Sequence, residues 1–164
     1  MSISDPAGQP AAPDRVQTLH HADGMVRTVT VRDEEFPYPD GKLIVSRADP
    51  EGRITQANAA FVTMSGYTLD ELMGQPHYIL RHPDMPAAAF ADMWQTLQRG
   101  DKWHGYVKNL RKDGSYYWVY ATVIPNVRAG EVVGYTSVRR KPSRTRITEC
   151  IESYARMRAE ENPS

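Results

Sequence analysis

Residues 101–140, DKWHGYVKNLRKDGSYYWVYATVIPNVRAGEVVGYTSVRR, decide the architecture. The stretch is rich in aromatic and β-branched residues, which fit a pleated, half-buried surface. Asp113-Gly114 reads as a two-residue hairpin turn, and Arg128-Ala129-Gly130 supplies a second turn. The segments Lys102–Lys112, Ser115–Asn126 and Glu131–Arg140 are therefore predicted to form an antiparallel three-strand meander. Within the first of them, alternation puts Trp103, Gly105, Val107 and Asn109 on one face.

The residues before the meander have helical and turn character. Ala87 to about Arg99 places Phe90, Met93, Trp94 and Leu97 on one face at helical spacing. Pro86 suits the first turn of that helix and Gly100 closes it. Residues 75–86, QPHYILRHPDMP, carry three prolines and two histidines, leaving room for one helical turn. Upstream, Thr68-Leu69-Asp70-Glu71 is a capping box, and Asn58 is a good N-cap for Ala59–Ser65, which Gly66 ends. Lys42–Ala48 and Ile54–Ala57, joined by the turn 49–53, should pair as an antiparallel hairpin. Two strands, several short helices and three strands predict an α+β domain, with one five-stranded antiparallel sheet and the short helices on one face.

The flanks read differently. Residues 1–28 are rich in Pro, Ala, Asp and Gln without periodicity and are expected to form a flexible leader, with His20-His21 solvated. Residues 29–40 contain Pro37 and Pro39, which exclude a helix or a central strand, so an extended arm is expected at the start of a domain spanning 29–140. Residues 141–164 are expected to be a linker and C-terminal helix. Its stripe Ile147, Ile151, Tyr154 and Met157 suits helix pairing and a homodimer, through this helix or the domain surface.

Composition narrows the functional classes. The 164 residues hold 20 Lys plus Arg against 20 Asp plus Glu, so no net field attracts nucleic acid or a membrane surface. Apolar residues make up 40%, charged residues 24%, and mean hydropathy is −0.58. No apolar run is long enough to span a bilayer, and the N-terminus lacks a secretory layout. Cys150 is the single cysteine, which excludes an intramolecular disulfide and a Cys-cluster zinc site. A cytoplasmic protein is expected. No HExxH, G-x-S-x-G or phosphate-binding loop is present, and no catalytic nucleophile or metal set stands out, so an enzyme is not expected.

The motifs themselves carry a resemblance. GRITQANAAFVTMSGYTLDELMGQPH (52–77) is similar to the front half of flavin-binding PAS domains. RHPDMPAAAFADMWQTL (81–97) and DKWHGYVKNLRKDGSYYWVYATVIP (101–125) resemble PAS domains of the bacterial aerotaxis-receptor type, from about Val29 to Arg140. The resemblance implies a fold cupping FAD, in preference to FMN, between the sheet and the short-helix segment; the alternative is a PAS module that binds haem or another small ligand, or a cofactor-free docking or dimerisation module. Reduction of the flavin would change the domain surface and inform a signalling protein or receptor segment, in cis or in trans. Asn58, His77, Arg81, His82, Asp84, Trp94, Trp103 and Asn109 match family positions in the flavin pocket or its support. The chain departs from the family at Tyr78, where an Asn is usual and where the cofactor's polar tail passes, and at Leu110, where a second basic residue is usual. His77 stands where light-sensing relatives carry their adduct-forming cysteine, so photochemistry of that kind is excluded.

Each matched residue also has a plainer reading. Trp94 suits ordinary core as well as an aromatic wall. Trp103 is the better pocket candidate, and Asn109, on the same face, offers a donor and an acceptor to a flavin edge. Arg81 fits a phosphate bidentately, yet Asp84 pairing with Arg81 or His82 would brace the loop instead. A haem would take His77, His82 or His104 as axial ligand.

Overall fold

The computed structural model describes residues 14–21 and 23–161. Arg15–His20 (β1) and Val26–Val31 (β2) form a separate antiparallel hairpin. The main sheet comprises Ile44–Ala48 (β3), Ile54–Ala57 (β4), Trp103–Leu110 (β5), Tyr116–Arg128 (β6) and Glu131–Arg140 (β7). It is wholly antiparallel, in the order β4-β3-β7-β6-β5. Between its two halves lie Ala59–Ser65 (α1), Leu69–Leu72 (α2), a 3-10 turn at His77–Leu80, and Ala87–Gln98 (α3).

The local chemistry explains these breaks. Asn58 caps α1 by accepting from the Phe61 amide at 3.0 Å, and Thr68 and Glu71 complete the predicted capping box on α2. The two meander turns differ from expectation. Only Gly114 has a positive φ (92°), and its amide donates to Arg111 O, so Lys112-Asp113-Gly114 is a three-residue connection rather than a two-residue one. Asp113 sets it by accepting from the Ser115 amide at 2.9 Å. The two-residue turn is Ala129-Gly130, with φ values of 52° and 81°.

The core lies between the sheet and α1–α3, where Ile44, Ile54, Phe61, Met64, Leu72, Leu97 and Val119 are buried. At about 1.5–3 kcal/mol per buried large apolar side chain, this layer is the main stabilising term.

One flanking feature corrects the expectation, and the other bears out the C-terminal helix and shows where it packs. Residues 15–31 form the β1–β2 hairpin instead of continuing a leader into an arm; residues 1–13 lie outside the described residues. The hairpin persists because Leu19, Val29 and Val31 bury a small second core against Leu110. Arg27 anchors it by donating to Tyr78 O at 2.8 Å. The C-terminal helix, Arg144–Glu161 (α4), packs on the face of the sheet opposite the short helices. Tyr154 stacks on Trp118 with centroids 6.2 Å apart and donates to Tyr106 O at 2.6 Å, while Ile147 is buried. Among the described residues, no helix is long and apolar enough to cross a membrane.

Candidate ligand-binding cavity

A cavity of about 500 Å³ separates the inner face of the sheet from α3. Its size falls within the ~300–1,000 Å³ usual for small-molecule sites. The floor is built by alternation: inward positions of β5, β6 and β7 present Trp103, Val107, Asn109, Ala121, Tyr135 and Arg139. Phe90, Met93 and Trp94 of α3 form the roof, at the helical spacing seen in sequence. The segment from Pro76 to Arg81 closes one end, and His21 and Asp23 stand at the mouth.

The two tryptophans are held differently. Trp103 Nε1 donates to Asp92 on α3 at 2.9 Å, and its ring lies across Gly105, whose missing Cβ would stand 2.4 Å from the indole. Glycine is required there by close approach. Trp94 meets Tyr135 edge-on at 5.4 Å, so it serves core and cavity wall together. Asn109 is buried on the cavity side, paired across the ladder with Tyr117, whose phenol burial pushes up to about 12.

Of the other expected site residues, His77 and Arg81 line the cavity, whereas Asn58, His82 and Asp84 do not. Asn58 is used up locally: it caps α1 and donates to Leu43 O at 2.8 Å. His82 is fully buried beside the cavity wall, with Nδ1 accepting from the Asp84 amide at 3.0 Å. Asp84 binds Lys108 at 2.8 Å instead of Arg81. Burial raises the Asp84 carboxyl, but the Lys108 ammonium outweighs that and leaves it below its usual value. These two residues brace the loop that presents Arg81. Of the three histidines considered for a haem, only His77 faces the cavity; His104 lies on the outer face against Thr122 and Tyr120. Burial, followed by the charge of Arg139, pushes the His77 imidazole down to about 3, so it is neutral near pH 7.

The mouth is shaped by the β1–β2 turn. Tyr78 stacks on His21 with centroids 3.8 Å apart, and its hydroxyl donates to Asp23 at 3.0 Å. His21 is thus buried rather than solvated. Arg81 stands beside them with its guanidinium 5.1 Å over the Phe90 ring; its hydrogen bonds, to His20 O at 3.5 Å and Met85 O at 3.4 Å, are long, and its Nε has no partner.

Arg139 is a cavity residue absent from the set expected from sequence. It is 6% exposed; Nη2 donates to Ser46 Oγ at 3.1 Å, the guanidinium lies 4.8 Å over the Phe61 ring, and Nη1 has no partner. Alternation from the cavity-facing Tyr135 through Ser137 would have marked it.

The chain matches the PAS fold model over residues 54–139, just over half of its length. It belongs to the PAS fold family. It is 47% identical over 129 residues to the aerotaxis receptor of Escherichia coli (strain K12), covering 79% of this chain and 26% of that one. It is 33% identical over 99 residues to the nitrogen fixation regulatory protein of Klebsiella pneumoniae, covering 60% and 20%. A light-oxygen-voltage domain probed with a flavin analogue matches the structure with a TM-score of 0.61 at 26% identity, covering 70% of this chain and 88% of that one. The PAS chain described here spans about a quarter or less of the length of these two curated relatives.

Proposed function

We propose that this PAS domain binds a flavin, FAD, in the cavity and reports its redox state to a signalling partner, in the same chain or another. The observation that carries this reading is the cavity itself: a slot of about 500 Å³ with aromatic and aliphatic walls, and with polar groups at Asn109 and Arg139 and at Asp23 and Arg81. Apolar rings need burial, a pyrimidine edge needs hydrogen bonds, and phosphates need cations. Trp103 and Trp94 would flank the rings. Asn109 would face the polar edge, and Arg81 at the mouth would take phosphate. The unpartnered Nη1 of Arg139 and Nε of Arg81 fit a ligand with accepting groups at both ends.

Bound flavin supplies a reversible electron-accepting couple. The protein's share is to exclude water and to transmit the change. The neutral His77 and the apolar roof keep the slot dry. α4 is placed to carry the signal outward, because it grips the start of α3 and the loop just before it. Glu161 accepts from the Ala87 and Ala88 amides at the start of α3, at 3.0 and 2.9 Å, and Arg158 donates to Asp84 O in the adjoining loop.

Hydrogen exchange of the FAD-loaded chain, oxidised against dithionite-reduced, tests the reading. Altered protection in α4 and the first turn of α3 is expected. Identical exchange in the two states, or failure to take up FAD, would contradict it.

A further inference from the structure

Among the described residues, Arg139 is the only Lys, Arg, Asp or Glu side chain that is buried, and no carboxylate pairs with it. Its neighbours are spoken for or neutral. Ser46 Oγ takes Nη2, the Phe61 ring covers the guanidinium plane, and the Tyr38 hydroxyl is spent on the carbonyls of Lys42 and Arg139. Tyr117 and Tyr38 have phenols raised by burial and so offer no negative charge near neutral pH, and burial lowers the guanidinium only to about 10, so it remains charged. A buried cation with an empty donor is costly unless something arrives to meet it.

The register shows where that something would lie. Gly105, Ala121 and Arg139 form one row across β5, β6 and β7. The Trp103 ring covers the Gly105 end of this row, and Trp103, Ala121 and Arg139 line the same cavity, so a flat ligand there would meet the indole and the guanidinium as parts of one floor. Asn109 faces the same cavity from further along β5.

We propose that Arg139 is the cavity's built-in counter-charge, whose free Nη1 meets the accepting edge of the bound ring and favours its reduced form over its oxidised form. The proposal rests on the flavin reading above and deepens it. Uptake of two electrons and one proton leaves the initially neutral ring with one net negative charge. The electrons come from an external donor, dithionite in the test, and the proton comes from solvent. Arg139 gains nothing and loses nothing covalently; it offsets the added charge in a site from which water is excluded. The same charge therefore tunes the potential at which the sensor switches.

The test is a dithionite titration of the FAD-loaded full chain with a reference dye, for the wild type, Arg139→Lys and Arg139→Gln. The wild type is expected to hold reduced FAD at least tenfold more tightly than oxidised FAD, a two-electron potential about 30 mV or more above that of free FAD. Arg139→Gln is expected to lose that preference, and Arg139→Lys to keep most of it. A wild-type potential at or below that of free FAD overturns the proposal, whichever variants fold. So does an Arg139→Gln protein that retains flavin at the wild-type potential, or an Arg139→Lys that falls as far as Arg139→Gln. If the wild type takes up no FAD, the flavin reading fails and this inference falls with it; flavin bound without the preference removes only the role of Arg139.

Discussion

Gly105 sets the steric limit of the cavity floor. A Cβ there would stand 2.4 Å from the Trp103 ring, which Asp92 already holds from above. Gly105→Ala should therefore turn the indole off the floor and cost about 1–3 kcal/mol, as overpacking does. A lower melting temperature with altered near-ultraviolet circular dichroism would show this; wild-type values for both would contradict it. The buried histidines give a pH dependence whose sign is fixed. Burial lowers His77 to about 3 and is also the main cause lowering His82, where Lys108 adds to it. The unfolded chain therefore binds more protons below about pH 6.5, and stability falls as pH drops from there toward about 3. At pH 5 the loss is roughly 2 kcal/mol per histidine, and His82→Gln should flatten the curve of melting temperature against pH. Positions in the cavity were legible where residue type and alternation agreed, as for Trp103 and Asn109. Asn58 was legible as the cap of α1, and its place outside the cavity was not, because a helix cap and a ligand contact call for the same amide. Arg139 was not legible because it stands beside the exposed Arg140 at the end of β7, where a pair of arginines has the look of a solvated strand end.

At the scale of elements, the N-terminus of α3 is capped from another helix. Pro86 offers no side-chain hydrogen bond, and the Glu161 carboxylate reaches the Ala87 and Ala88 amides instead. Such a contact spans most of the domain in sequence and leaves no local signature, so only the start of α3, not its cap, could be read in advance. Glu161→Ala should cost about 0.5–2 kcal/mol and speed exchange of those two amides. Unchanged exchange would mean that α4 does not hold α3. The strands of the meander were legible because their turns sit between unbroken β-prone runs. The β1–β2 hairpin was not, because Val16 is exposed and only Leu19 of β1 is buried, which hides the alternation.

Across the whole molecule, the sheet separates the cavity from the C-terminal helix α4. The cavity, α3 and the mouth formed with the hairpin lie on one face, and α4 lies on the other while still reaching the start of α3. The hairpin is attached to the cavity end largely through Arg27 and the Tyr78–His21 stack. Arg27→Ala should loosen that mouth, raising the rate of flavin release several-fold while leaving the main sheet intact; stopped-flow release at the wild-type rate would contradict a closing role. The five-stranded layout was legible because each strand carries its own pattern. The placement of α4 was not, since its apolar stripe suits a second helix as well as the aromatic face of Trp118 and Tyr106. What the cavity holds decides what this domain senses, and the visible absorption spectrum of the purified full chain reports that directly. Flavin bands, with about one FAD released per chain on denaturation, are predicted. A colourless protein that does not take up added FAD, or a Soret band in place of the flavin bands, would contradict it.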